Sequence, residues 1–124
     1  MSIKVLLADD SKIVRQAIRR VLDAQPEIEI VGEAANYTQT VQLKNDLNPQ
    51  VVLLDIHMPD EQRIDLKNVS VQLNHGSKIL AISMWRDGDA QALAQLLGAV
   101  KLLDKAELGS TLVPAILRLA PNTD

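Results

Sequence analysis

Four places in this chain put reactive side chains at the end of an apolar run: Asp9-Asp10-Ser11, Asp55, Ser83 and Asp104-Lys105. Three carboxylates gathered within a few ångströms would repel one another by about 4 kcal/mol per pair at an effective dielectric near 20, so a positive charge must accompany them. A donor set of oxygens alone, with no Cys in the chain, favours a hard divalent cation, and Mg²⁺ typically takes one or two carboxylates and keeps several waters. Lys105 supplies a second, fixed positive charge. A cation, a lysine, a hydroxyl and one isolated carboxylate suit phosphoryl transfer, in which positioning and charge neutralisation do most of the catalysis. In that chemistry Asp55 is the nucleophile and forms an acyl phosphate. Lys105 and the metal hold the phosphoryl oxygens, and Ser83 donates a hydrogen bond to them.

The elements that must deliver these groups follow from the hydrophobic pattern. Val51-Val52-Leu53-Leu54 runs straight into Asp55, and Pro59 ends any ladder or helix there, so the segment reads as a strand buried on both faces. Ile3 to Ala8 repeats the pattern before Asp9, Lys78 to Ser83 forms the fourth apolar strand, and Val100 to Leu103 the fifth. Ile28 to Ala34 alternates in part and reads as a second strand nearer an edge.

Between the strands the period changes. Ile13, Val14, Ala17, Ile18, Val21 and Leu22 mark an amphipathic helix capped by Asp10 or Ser11, with Arg15, Arg19 and Arg20 on its solvated face. Thr38 is the expected cap of a second helix carrying Val41, Leu43 or Lys44, and Leu47, closed by Asn48-Pro49. A third helix holds Ile64, Leu66, Val69, Val71 and Leu73, although its β-branched residues fit a helix poorly, and His75-Gly76 breaks it. Asp87 or Asp89 caps a fourth, which Gly98 closes, and a fifth starts near Leu108 with Pro114 in its first turns. Strand and helix alternate five times, so the sheet is parallel with helices on both faces. The expected fold is a single three-layer, flavodoxin-like (βα)5 domain with strand order 2-1-3-4-5. Its first and third strands meet at the switch point, which makes their carboxyl ends one crevice.

With these residues in place, the chain resembles over its whole length the receiver domain of bacterial two-component response regulators. In that resemblance Asp9-Asp10 match the metal-binding acidic pair, Asp55 the phosphoacceptor, Met58-Pro59 the loop after the third strand, Ser83 the switch hydroxyl and Lys105 the invariant lysine. The resemblance implies that the backbone carbonyl of His57 also ligates Mg²⁺ and that a sensor histidine kinase donates the phosphoryl group. It also implies that Ser83 then turns toward the acyl phosphate, repacking strands four and five and their helices. Such a domain is not a turnover enzyme in the usual sense. It catalyses its own Mg²⁺-dependent aspartyl phosphorylation and a slow dephosphorylation.

Leu7-Ala8-Asp9-Asp10-Ser11, and the lack of Pro after Lys105, are most similar to receivers that precede a LuxR-type helix-turn-helix domain. The partners implied are thus a DNA-binding effector or a downstream protein and, on activation, a second copy of the chain. Three positions depart from the family pattern. Leu102 stands where many receivers have a second, aromatic switch residue, Arg63 where Gly is frequent, and Ala106 where Pro follows the lysine. A trans bond is expected before Ala106, since a cis one would cost about 3 kcal/mol.

Each of these residues also has a plainer reading. Asp9 and Asp10 could be helix caps, Asp55 a loop acid, Ser83 an ordinary strand-end serine and Lys105 a solvated lysine. The His57 side chain is read as incidental, His75 as a loop residue, and Trp85 as a half-exposed loop residue near Ser83. A phosphate-bearing flavin would be repelled by Asp9 and Asp10, and a haloacid-dehalogenase-type phosphatase needs an acid where His57 stands. A receiver-like scaffold acting by contacts or dimerisation alone is the alternative function.

The remaining composition bounds the classes. With 124 residues and 47% apolar content, the chain makes one domain, expected over 1–120 with 121–124 a polar tail or linker start. No apolar run approaches the roughly 20 residues that cross a bilayer, and the start lacks a signal-peptide pattern. A cytoplasmic location is expected. The net charge of −3 gives little reason to expect direct nucleic-acid binding by this segment, since only the first helix clusters Lys and Arg.

Overall fold

A computed structural model of the chain describes residues 2–85 and 87–119. The tail at 121–124, and with it the expected boundary at 120, lies outside the described residues. Five strands, β1 (Ile3–Ala8), β2 (Ile28–Ala34), β3 (Val51–Asp55), β4 (Lys78–Ser83) and β5 (Lys101–Asp104), form one sheet in the order β2-β1-β3-β4-β5. Every neighbouring pair is parallel. Between them lie α1 (Lys12–Asp23), α2 (Tyr37–Leu47), α3 (Leu66–Asn74) and α4 (Gly88–Leu96), and α5 (Leu108–Leu119) follows β5.

The strand period of two sorts the sheet's side chains into two cores. Leu6, Ala8, Val52, Leu54, Ile79, Ala81 and Leu102 pack toward α2, α3 and α4. Val5, Leu7, Val51, Leu53, Leu80, Ile82 and Leu103 pack toward α1 and α5. All five β3 residues are buried, which is why that segment shows no polar alternation. Each fully buried Leu in it contributes about 1.5–3 kcal/mol relative to exposure.

The helix ends refine the expectations. Ser11, not Asp10, caps α1, its Oγ accepting from Val14 N at 3.2 Å. Asp87, not Asp89, caps α4 by accepting from Ala90 N. The cap of α2 is Asn36 rather than Thr38, with Oδ1 accepting from Gln39 N at 2.7 Å. The Thr38 hydroxyl is engaged elsewhere, as shown below. Asp65 caps α3, and a single 3₁₀ turn over Glu61–Arg63 precedes it. Val69 and Leu73 are the buried face of α3, whereas Val71 is 71% exposed, so the expected five-residue apolar stripe narrows to one seam.

Ile13 is likewise outside the core, because the buried side of α1 turns on Ile18 and Leu22. Both Leu43 and Lys44 face inward on α2. The Lys44 ammonium donates to the His75 carbonyl at the end of α3. Gly98 sits at φ +77 just past α4, where a Cβ would run into the Asn74 side chain, so the helix stop requires glycine. β5 is shifted by one residue from the expected strand and ends on Asp104, leaving Val100 exposed. Pro114 lies in the second turn of α5, and no peptide bond among the described residues is cis, the one before Ala106 included. No helix among the described residues is long and apolar enough to cross a membrane.

Candidate phosphoacceptor and metal site

Strand register decides where the reactive groups go. Ala8 is paired with Leu54 and Asp55 with Ile82, so Asp9 and Asp55 leave adjacent strands at one rim of the sheet. Ser83 is paired with Asp104, which brings the hydroxyl and the following Lys105 to the same rim. Oxygens of Asp9, Asp10 and Asp55 all lie within 4.8 Å of one another. Asp9 and Asp55 are buried and Asp10 is exposed, so the cluster opens to solvent through Asp10.

Lys105 Nζ reaches across from β5 to lie 2.8 Å from Asp9 Oδ2 and 3.1 Å from Asp55 Oδ2. Burial works against its ammonium, but the Asp9 and Asp55 carboxylates outweigh that and raise its pKa. For Asp55, burial dominates. It pushes the carboxyl up to about 6, against the opposing pull of the His57 backbone N–H and Lys105, while Asp9 adds to the rise. The remaining carboxylate oxygens are held by the backbone. Asp55 Oδ1 accepts from His57 N at 3.0 Å and Asp9 Oδ1 from Ser11 N at 2.8 Å.

Asp9 Oδ2 is buried, with the Lys105 ammonium 2.8 Å away as its partner. Its position beside two further carboxylates fits a hard divalent cation. Asp9, Asp10 and Asp55 are the side chains that could hold one.

Ser83 is fully buried and its Oγ accepts from Trp85 N at 3.0 Å. The His57 side chain points away from the carboxylates. Its ring meets Trp85 edge-on at 5.9 Å, and Nδ1 lies 3.5 Å from Glu61 Oε1. Trp85 is 62% exposed, more open than expected.

Two supports of the site have no local signature in the sequence. The first corrects the solvated face expected for α1. Arg15 and Arg19 both pair with Glu33 of β2, at 2.8 and 2.6 Å, and Arg15 also donates to the Asp9 carbonyl. The Arg19 hydrogen bond holds the Glu33 carboxyl below its ordinary range against burial, with Arg15 adding to it. Arg20 alone of the three remains exposed. The expectation failed because helical spacing identifies a polar face but not a carboxylate on the adjacent strand that covers it.

The second support is the loop after β3. Asp60 accepts from Tyr37 N, Thr38 N and Thr38 Oγ1 at 2.9, 3.0 and 2.8 Å, tying that loop to the first turn of α2. Burial would raise the Asp60 carboxyl, but these donors hold it below its ordinary range. Asp60→Ala is expected to cost about 1–2 kcal/mol, the usual worth of a helix cap. The loss should be read from urea midpoints at pH 7 and should shrink as pH falls below 3.8. A carboxyl held below its ordinary range stabilises fully above its unfolded pKa and loses that contribution as pH falls through the folded one. An undiminished loss at pH 3 would refute the charge-assisted part of the cap.

The whole arrangement can be compared with known proteins. The family model for the response regulator receiver domain matches residues 5–117. The transcriptional regulatory protein LiaR of Bacillus subtilis is 32% identical over 114 residues, covering 92% of this chain and 54% of LiaR. A protein-glutamate methylesterase/protein-glutamine glutaminase of Agrobacterium fabrum is 36% identical over 107 residues, covering 86% of this chain but 30% of that protein. Among solved structures, the signal receiver domain of NarL from Mycobacterium tuberculosis superposes with a TM-score of 0.82 at 26% identity over 94% of both chains. The response regulator domain of Thermotoga maritima CheB shares the fold, with a TM-score of 0.81 at 21% identity over 96% of both chains. The chain thus spans only about half or a third of the longer relatives, and what it has in common with them is one unit. Five parallel strands in this order, an acidic rim and a family match over nearly all of the sequence make this chain a member of the response regulator receiver family.

Proposed function

We propose that this receiver is a phospho-accepting switch in which Asp55 takes a phosphoryl group from the phosphohistidine of a sensor kinase. The observation that carries the reading is the convergence of Asp9, Asp10 and Asp55 within 4.8 Å, with Lys105 touching two of them. An Asp55 carboxylate oxygen attacks phosphorus in line as the phosphorus–nitrogen bond breaks. The bonding pair leaves with the donor imidazole, which is then protonated. Asp55 must be ionised to attack, and with its pKa near 6 it is largely so at neutral pH. Lys105 meets the phosphoryl oxygens with positive charge.

A divalent cation, Mg²⁺ by its preference for oxygen donors, would be held by Asp9, Asp10 and Asp55, with the His57 carbonyl completing the protein's share. When bound, it neutralises charge on the transferring group. Ser83 then exchanges its bond from Trp85 N for one to the acyl phosphate. This shifts the population between two packings of β4, β5 and their helices. Leu102 is buried against α4's side of the sheet, so the switch runs on Ser83 and packing without an aromatic partner.

The LiaR match, covering nearly the whole chain, supports transcription as the output through a DNA-binding effector. A second copy of the chain is the further partner on activation, and a cytoplasmic location follows from a cytoplasmic kinase domain and effector.

The test is intact-mass analysis after incubation with a small-molecule acyl phosphate. One phosphoryl group should add in Mg²⁺ and none in chelator, and borohydride reduction should map it to Asp55. No Mg²⁺-dependent label, under conditions that saturate an active receiver, would instead make the chain a scaffold working through constitutive contacts.

A further inference from the structure

Tyr37, the chain's one tyrosine, is fully buried at the start of α2, where nothing in its local pattern calls for a large polar aromatic. Its hydroxyl donates to the Ile56 carbonyl at 2.6 Å. That carbonyl belongs to the same peptide unit as the His57 N–H, which donates to Asp55 Oδ1 at 3.0 Å. A peptide unit is planar, so fixing its carbonyl fixes the direction of its N–H. The preceding peptide unit is held by Ile56 N donating to Ile82 O, a bond long at 3.3 Å, so it adds little constraint at this point.

We propose that Tyr37 is a positioning residue for the site: through one peptide plane its hydroxyl sets which oxygen of Asp55 is held by backbone and which faces Lys105. The proposal rests on the reading of Asp55 as phosphoacceptor, and it adds a residue from a helix that contributes nothing else to the rim. Donation into the carbonyl polarises the peptide and strengthens the N–H bond to the carboxylate. The His57 carbonyl, one residue further on, is carried by the same turn.

Tyr37 is itself anchored, since Asp60 accepts from its backbone N–H. Loop and helix therefore clasp each other in both directions. Burial, with the charges of Glu61, Asp55 and Asp60 adding to it, pushes the phenol well above its ordinary range, so it stays a donor at every working pH. Without the hydroxyl, the Asp55 oxygens lose their fixed inequivalence, and both cation binding and phosphoryl uptake must first restore it.

The test is Tyr37→Phe, which keeps the ring and removes the donor. In metal-free protein the His57 amide proton is expected to move upfield in NMR spectra. The half-saturating Mg²⁺ concentration should rise about threefold to tenfold, the range that one hydrogen bond's net worth allows, with a fall of the same order in labelling rate. Because the chain has a single tyrosine, biosynthetic replacement by ortho-fluorinated tyrosine is site-specific. Its more acidic phenol should move the His57 amide the opposite way, and this variant also decides the matter if Tyr37→Phe does not fold.

A Tyr37→Phe protein that is less stable, yet keeps the wild-type His57 shift, Mg²⁺ dependence and labelling rate, would reduce Tyr37 to a core residue and overturn the proposal. An unmoved His57 amide in the fluorinated protein would do the same. If the wild type takes no label, it is the phosphoacceptor reading that fails, while the amide shift and the Mg²⁺ titration still decide the role of Tyr37.

Discussion

Asp55→Asn is expected to abolish Mg²⁺-dependent phosphoryl uptake while making the metal-free protein more stable at neutral pH. The two effects share a cause. An amide has no anionic oxygen to attack phosphorus, so labelling should fall to the level of the chelated control. The stability gain follows from burial. Asp55 is 3% exposed and its carboxyl is pushed up to about 6 in the fold against 3.8 unexposed.

Between those values the native state binds the proton that the unfolded chain releases. Stability from this group is therefore present below pH 3.8 and lost as pH rises through 6. The shift corresponds to a loss of about 1–3 kcal/mol at pH 7, after allowance for what the asparagine amide itself costs to bury. Paired urea melts at pH 4 and pH 7.5 in chelator should show Asn more stable than wild type at the higher pH and nearly equal at the lower. Equal stability at both would mean that Asp55 is not held at a cost. Mg²⁺ should reverse the order by stabilising the wild type through mass action.

That trade explains why part of the site was legible in the sequence and part was not. An apolar run that ends on a carboxylate is locally odd, since burying acids costs free energy, and the oddness occurs at Asp9 and again at Asp55. The alternation of strand and helix makes the sheet parallel, and the switch-point rule then puts the carboxyl ends of its first and third strands in one crevice, which is why separated positions could be assigned to one rim. What failed needed a partner from far along the chain. Thr38 has the local chemistry of a cap, but Asp60 claims its hydroxyl and Asn36 takes the cap. Arg15 and Arg19 have the spacing of a solvated face until Glu33 is placed beside them. Tyr37 offered only its rarity. Each of these depends on a contact that crosses between elements, and hydrophobic period carries no information about such contacts.

Lys105→Met is the second large effect, and it separates the lysine's electrostatic work from its packing, since Met keeps most of the apolar stem. Lys105 is the cation in contact with both Asp9, which is fully buried, and Asp55. Removing one partner of a buried ion pair costs about 3–5 kcal/mol, because the remaining charge stays buried without compensation. Here two carboxylates remain. Protonating Asp55 is the cheapest relief, so its folded pKa should climb further, and the deficit of the variant should grow as pH rises from 5 to 8.

In the wild type, the raised Lys105 pKa means that the lysine's contribution is fully present below 10.5 and is lost only as pH rises through its folded value. No wild-type loss from this group is therefore expected in that window. Mg²⁺ supplies the missing positive charge, so it should stabilise Lys105→Met more than it stabilises the wild type, as measured by the shift in urea midpoint on adding the ion. Phosphoryl uptake should nevertheless stay about a hundredfold down at saturating Mg²⁺, the cost of losing one preorganised group aimed at developing charge. A variant that Mg²⁺ restores in both stability and labelling rate would show that Lys105 serves only to hold the empty site together. A variant that Mg²⁺ restores in stability alone would show that the lysine acts on the phosphoryl group itself.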